Sequence, residues 1–277
     1  MKLHLNLALR RALIAAMSMV ALHTAEADLT TKYNGSNAYL TGNGTLTSNQ
    51  WNDIWNKHKS GTLTIGTYEG AAVVELGGST YNKGNDIYIG GVGYNSNTSE
   101  ANDGELIVNQ KSKLNVNVLN VGNSKVGGVG TLTVNGGAVT ADSALYIGVN
   151  AGSGIMNVAD GGSITISSGA NGAVFAMSYR GTGDLTDTAT LTGSTITVGT
   201  KGGVLDYTAI GHSAGTATLN LEAKSTATFN DQLLVGEKIG SDGTIHVHGS
   251  TLNMGTTTVL GYEAGATGTI CLEDGIA

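Results

Sequence analysis

Proline is missing from all 277 residues of this chain, and one cysteine, Cys271, stands alone near the end. The lone thiol excludes an internal disulfide framework, so stability has to come from packing. Aromatic residues are 5% and charged residues 13% of the chain, a composition unlike that of a compact α/β enzyme. There is no phosphate-binding loop, no hydrolase serine elbow and no paired CxxC motif. What fills the chain instead is glycine, 43 residues of it, with Thr, Asn and Ser between short aliphatic pairs. That mixture favours strands and turns over helices and predicts an all-β fold.

The first residues read separately. Lys2, Arg10 and Arg11 precede an apolar run from Ala12 to Leu22 that ends near Ala25, Glu26 and Ala27. This is the pattern of a secretory signal peptide over 1–27, too short in its apolar run to span a bilayer. Without it the chain carries 11 basic and 20 acidic residues, a formal charge of −9. An acidic chain without a basic cluster repels phosphate backbones, which excludes nucleic acid as a partner.

From there on a phrase of the form GTLTVNGGAVTADSALYIG, seen at 130–148, keeps returning. Aligned on its first residue, it starts at Gly70, Gly104, Gly130, Gly154, Asp187, Gly215, Gly243 and Gly268, at spacings of 24 to 34 residues. Four places after each start stand Val74, Val108, Val134, Val158, Leu191, Leu219, Val247 and Leu272, a wholly aliphatic column. The residues between the aliphatic positions are mostly small or polar, the period-two alternation of a strand. A second block recurs as IYIG, LNVG, LYIG, FAMS, TAIG, LLVG and TVLG, and six of the seven end in glycine. A third short block follows a GGS-like turn, as in SITI at 163–166.

A unit with three short strands cannot bury its own aliphatic pairs, but stacked units bury a continuous column and satisfy one another's backbone groups. The expectation is a right-handed parallel β-helix, a β-solenoid of about seven to eight coils over 61–277, its last coil incomplete. At about 4.8 Å per coil the rod is on the order of 35 Å long. Insertions at 90–104, 168–174 and 200–207 are expected to project as turns, where solenoids carry binding specificity.

Residues 28–60 read as an N-terminal cap with a short helix. Trp51, Ile54 and Trp55 fall at helical spacing behind Ser48 as a cap residue. The helix is expected to cover the first coil, with an exposed sugar-stacking Trp pair as the lesser alternative. At the other end GTICLEDGIA enters an eighth unit and stops. The expectation there is an unpaired strand met by a longer natural chain, by a partner, or end-to-end by a second copy.

The VG or IG block, the G-x-G-T-L-T-V start at 128–134 and the GGS-like turn at 161–163 resemble the repeats of bacterial autotransporter (type V secretion) passengers and of exported proteins with a proline-glutamate-proline sorting tail. The likeness covers roughly 61–277. It implies a Gram-negative bacterium, a right-handed parallel β-helix, and display on the cell surface or outer membrane or release outside the cell. A passenger portion is expected, its membrane barrel or anchor lying outside this sequence.

Two residue sets could carry chemistry. His246 stacks above Cys271 and His248 above Glu273 by their offsets, a donor set of the type that holds zinc or copper. Arg180, Asp184, Asp206 and His212 lie near turns of adjacent units and could serve a polysaccharide lyase or hydrolase. Outward positions of the first block hold no Lys or Arg and only Glu75 and Glu273 as acids, which weighs against an enzyme. GGVGTL at 127–132 has leucine where a calcium-binding nonapeptide needs aspartate. No cofactor motif is present. The expected role is a non-enzymatic structural or adhesive rod that binds host or matrix glycans or proteins; the alternatives are a glycan-active enzyme and a fragment without a function of its own.

Overall fold

The computed structural model describes residues 28–57, 61–67, 70–82, 85–90, 103–124, 127–167, 172–200 and 206–274, without the side chains of 182–184. The signal-peptide reading of 1–27 and most of each expected insertion lie outside the described residues. The chain is a β-solenoid, its strands stacked in parallel through about eight turns.

In chain order the elements are β1 (Thr30–Asn34), β2 (Asn37–Leu46), helix α1 (Ser48–Lys57), β3 (Leu63–Ile65), β4 (Ala72–Leu76), β5 (Thr80–Asn82), β6 (Ile87–Ile89), β7 (Gly104–Asn109) and β8 (Lys113–Ser124). They continue as β9 (Val129–Asn135), β10 (Ala138–Asn150), β11 (Ser153–Ala159), β12 (Ser163–Ile166), β13 (Val174–Tyr179), β14 (Thr182–Thr192), β15 (Thr195–Val198) and β16 (Tyr207–Ile210). The last coils hold β17 (Ala214–Glu222), β18 (Thr226–Phe229), β19 (Gln232–Val235), β20 (Ser241–His248), β21 (Thr251–Met254), β22 (Thr257–Leu260) and β23 (Thr267–Glu273).

Three stacks form the sides. The first runs β2, β4, β7, β9, β11, β14, β17, β20, β23. The second holds the glycine-ended blocks: β2, β3, β6, β8, β10, β13, β16, β19, β22. The third holds the blocks after the GGS-like turns, β5, β8, β10, β12, β15, β18, β21. Strands β8 and β10 serve two stacks each; β10 turns the corner at a register shift between Ala141 and Ala144.

Alternation puts one residue in two inside. In the coil of β9 and β10, Leu132, Val134, Val139, Ala141, Leu145 and Ile147 are buried from three sides. Val134 pairs with Val158 in the next coil, and both are shut from solvent. Each buried aliphatic side chain contributes about 1.5–3 kcal/mol, and only a neighbouring coil makes the burial complete. Corners need glycine where two backbones touch: a Cβ on Gly130 would lie 2.1 Å from Ile89 O and from Gly122 N.

The aliphatic columns appear as expected, with two slips. Ala72 pairs with Gly104 and Ala217 with Gly243, so the first and sixth units start two residues later than Gly70 and Gly215. A slip of two keeps the same side chains inside, which is why the column stays aliphatic in either register. Glu105, Glu222 and Asp242 also lie on the outward face of the first stack, acids that the sequence columns did not place there, and Glu105 takes a 2.8 Å hydrogen bond from Thr133 Oγ1.

The N-terminal end is closed twice. Helix α1 takes the place that a third-stack strand takes in later coils. Its Trp51, Ile54 and Trp55 are buried, which removes the exposed Trp pair. Trp51 Nε1 donates to Asn82 O at 3.3 Å, and its ring meets Tyr81 edge-on at 5.4 Å, covering the free side of β5. The cap residue is Thr47, one before Ser48. Gln50 N donates to Thr47 Oγ1 at 3.3 Å while Thr47 N donates to Gln50 Oε1 at 2.9 Å, the reciprocal capping box. The second device is β1, which pairs antiparallel with β2 and blunts the edge of the second stack. In the last coil Leu260, Tyr262 and Leu272 are exposed.

Candidate functional site

The register places the first candidate set as its offsets require: His246 beside Cys271 and His248 beside Glu273. They line a groove of about 230 Å³ together with Asn220 and Glu222. His248 Nδ1 lies 3.6 Å from Glu273 Oε2 with both side chains well exposed, so solvent screens the pair and it contributes little. Among the described residues, no three His, Cys, Asp or Glu side chains converge closely enough to hold a metal ion. The four residues form two stacked pairs and no shared centre.

The second set is separated by the fold. Asp206 is buried and its carboxylate braces a corner: Oδ1 accepts from Ala173 N at 2.8 Å and Oδ2 from Thr200 N at 3.0 Å. The side chain of Asp184 lies outside those described. His212 is buried beneath Tyr179 and Tyr207, with ring centroids at 4.7 and 6.3 Å, and its Nδ1 is 2.7 Å from Ser213 Oγ. Burial, helped by Lys238 and Arg180, pushes its pKa down to about 4. Glu237 Oε2 approaches Nε2 to 3.7 Å, yet this contact is no ion pair at neutral pH, because an imidazole so shifted is uncharged there. The same Glu237 carboxylate accepts the Tyr207 hydroxyl, and burial raises the Tyr207 pKa.

Arg180 and His212 do meet, but through a row of rings. Tyr146 stacks on Tyr179 at 4.4 Å and 27°, Tyr179 packs on His212, and the Arg180 guanidinium lies 5.0 Å from the Tyr179 ring centre. Burial first, then the neighbouring Tyr179, pushes the Tyr146 pKa up to about 12, so its hydroxyl stays protonated and able to donate. Tyr146, Tyr179 and Arg180 bound a groove of about 240 Å³ with Asp86, Tyr88, Asn120, Asn123 and Asn150. Sequence reasoning missed this groove. Its signal was the second residue of IYIG, LNVG and LYIG, which is Tyr88, Asn120 and Tyr146, in a block read only for its recurrence and its closing glycine.

A further surface repeats along seven coils of the rod. On the outward side of the third stack, Asn82, Asn115, Thr140, Thr165, Thr197, Thr228 and Asn253 pair in one unbroken column. Asn253 Nδ2 donates to Thr228 Oγ1 at 3.1 Å, and Asn115 Nδ2 donates to Asn82 Oδ1. Such a column offers short, neutral hydrogen-bonding groups at a fixed interval of about 4.8 Å.

Compared with protein-family models, with curated proteins and with solved structures, the chain matches none.

Proposed function

We propose that this chain is an exported, non-enzymatic β-solenoid that works as a structural and adhesive rod on or outside a bacterial cell. One observation carries the reading: the Asn and Thr column of the third stack, seven coils long and in register. A catalytic site gathers unlike groups around one reacting atom. This surface instead repeats like groups along a line, which suits a ligand that itself repeats, a glycan or fibrous protein of the host or matrix. Support against a glycan-active enzyme comes from Asp206, whose two carboxylate oxygens are taken up by backbone N–H groups. The leader pattern at 1–27 supports export, and the resemblance to passenger repeats supports the outer surface as destination.

The test has two arms. Cells expressing the full chain are fractionated beside cells expressing it without residues 1–27; the full chain is expected outside the cytoplasm with a new N-terminus at Asp28. The exported chain is then applied to immobilised matrix polysaccharides and proteins, beside a Thr165→Lys, Thr197→Lys, Thr228→Lys variant. Retention that the triple variant loses supports the rod. Retention in the cytoplasm, or no adhesion to any surface, removes it.

A further inference from the structure

The outward column of the second stack changes character at one place. Thr64, Tyr88, Asn120, Tyr146, Ala176 and Ala209 follow one another in register. Adjacent strands lie about 4.8 Å apart, so the backbones bearing Tyr88 and Tyr146 are about 9.6 Å apart, with the short Asn120 side chain between them. Ring partners pack at about 4.5–7 Å between centres, so that interval admits one ring between two aromatic walls.

The floor of this interval is polar. Asn120 is 6% exposed and lines the groove with Tyr88 and Tyr146. What its side chain shows to solvent it shows to that groove, where an amide can donate to and accept from a ligand. One wall is braced: Tyr179 stacks behind Tyr146 at 4.4 Å, and His212 behind Tyr179 at 4.7 Å. A wall that cannot turn away loses little freedom when a ligand arrives.

The charges define the ligand. Asp86 and Arg180 both line the groove, one of each sign, so the site offers no net attraction to an ion. The Asn120 amide both donates and accepts, as a hydroxyl does, and Asp86 accepts. Two apolar ring faces with hydroxyl groups around the edge describe a pyranose. A nucleobase would also fit between the walls, but as part of a nucleic acid it brings phosphates that a chain of net charge −7 repels.

We propose that Tyr88, Asn120 and Tyr146 form a slot for one uncharged pyranose unit of a polysaccharide. This rests on the adhesive-rod reading for the ligand's polymeric nature and gives that rod a discrete sugar subsite.

Calorimetric titration of the full chain with cellohexaose, xylohexaose, chitohexaose, a galacturonate hexamer and adenosine monophosphate tests it. Variants are Asn120→Thr, Tyr146→Thr and Tyr88→Thr, chosen because Thr64 already fills this column, and each is checked for a cooperative melt. At least one neutral hexaose is expected to bind, and Asn120→Thr to weaken it about tenfold or more, the scale of one lost buried hydrogen bond. Tyr88→Thr, on the opposite wall, keeps the test open if Tyr146→Thr does not fold. Binding of no neutral hexaose, tighter binding of the uronate or the nucleotide, or wild-type affinity in the variants overturns the slot. Adhesion of the full chain to immobilised polymer that Asn120→Thr leaves unchanged would remove the slot and spare the rod. Slot binding by a chain that is not exported and adheres to nothing would do the reverse.

Discussion

Ser178 Oγ donates to Asp187 Oδ2 at 2.6 Å across a corner where neighbouring coils set glycine against glycine. A Cβ on Gly154 would lie 2.4 Å from Gly148 N, and one on Gly243 would lie 2.5 Å from Gly236 N. At the one block that ends in serine, the next unit begins with aspartate, and the two side chains bond to each other. Ser178 holds φ of 57°, a left-handed backbone that costs a non-glycine residue about 1 kcal/mol, and Asp187 Oδ1 takes Gly154 N at 2.7 Å.

The pair therefore behaves as a unit. Ser178→Gly relieves the backbone but strips Asp187 of a donor; Asp187→Gly leaves a buried hydroxyl and the Gly154 N–H without their acceptor. Each single change is expected to cost about 1–3 kcal/mol in urea unfolding. The double change recreates the glycine corner of the other coils, so its cost should fall short of the sum by about 1 kcal/mol or more. Strict additivity would show that the two residues are not coupled.

Two buried groups give this protein opposed responses to pH. Burial, partly offset by the Ser178 and Gly154 donors, pushes the Asp187 pKa from 3.8 up to about 6. The folded state then holds the proton more tightly than the unfolded one. Its contribution is fully present below about pH 3.8 and is lost as pH rises through about 6, a change on the order of 3 kcal/mol. His212 runs the other way: with its pKa lowered from 6.5 to about 4, the folded state resists protonation. That contribution is present above about pH 6.5 and is lost as pH falls through about 4. Between those limits the two partly cancel. In melts from pH 4 to 7, Asp187→Asn should expose a stability that rises with pH, and His212→Asn one that falls. Parallel pH profiles for the wild type and both variants would contradict the assignment.

The column residues were legible in the sequence because burial in a strand has period two and the inside of this solenoid is filled mostly by aliphatic groups. Val134 over Val158 and Ile147 over Met177 follow from that alone. The same period hid the slips at Ala72 and Ala217, since moving by two changes the partner and not the side. Strand β1 was not legible: TTKYN has no buried column, and only the edge of β2 specifies it. The Tyr146 wall was half legible. Its letter stands in the repeated block, but Tyr179 stacks on it from beyond the FAMS block, through the left-handed turn at Ser178.

Inside and outside positions should differ sharply on mutation. Leu132→Ala removes a side chain closed in by Leu106 and Met156 in the adjoining coils and is expected to cost about 2–5 kcal/mol. Thr165→Ala, on the exposed side of the third stack, should stay within about 0.5 kcal/mol. Urea midpoints read both. Equal effects would mean that the two faces are not inside and outside as described.

Trp51 tests whether the N-terminal devices are needed. Its ring packs on Trp55 at 5.7 Å and Tyr81 at 5.4 Å, and its indole N–H meets the Asn82 carbonyl, so it covers the free side of β5 as well as filling space. Trp51→Ala should cost about 3–5 kcal/mol, whereas Thr47→Ala, which removes only the hydroxyl half of the capping box, should cost about 1 kcal/mol. The two differ in kind. Loss of the cap hydrogen bond frays the first helical turn and leaves the strand edge covered, but loss of the indole uncovers β5 and invites strand pairing with another molecule. Trp51→Ala is thus expected to form larger species as concentration rises in light scattering, and Thr47→Ala to remain like the wild type. If both variants stay the same size at every concentration, the helix fills volume at the end of the rod and does not guard its edge.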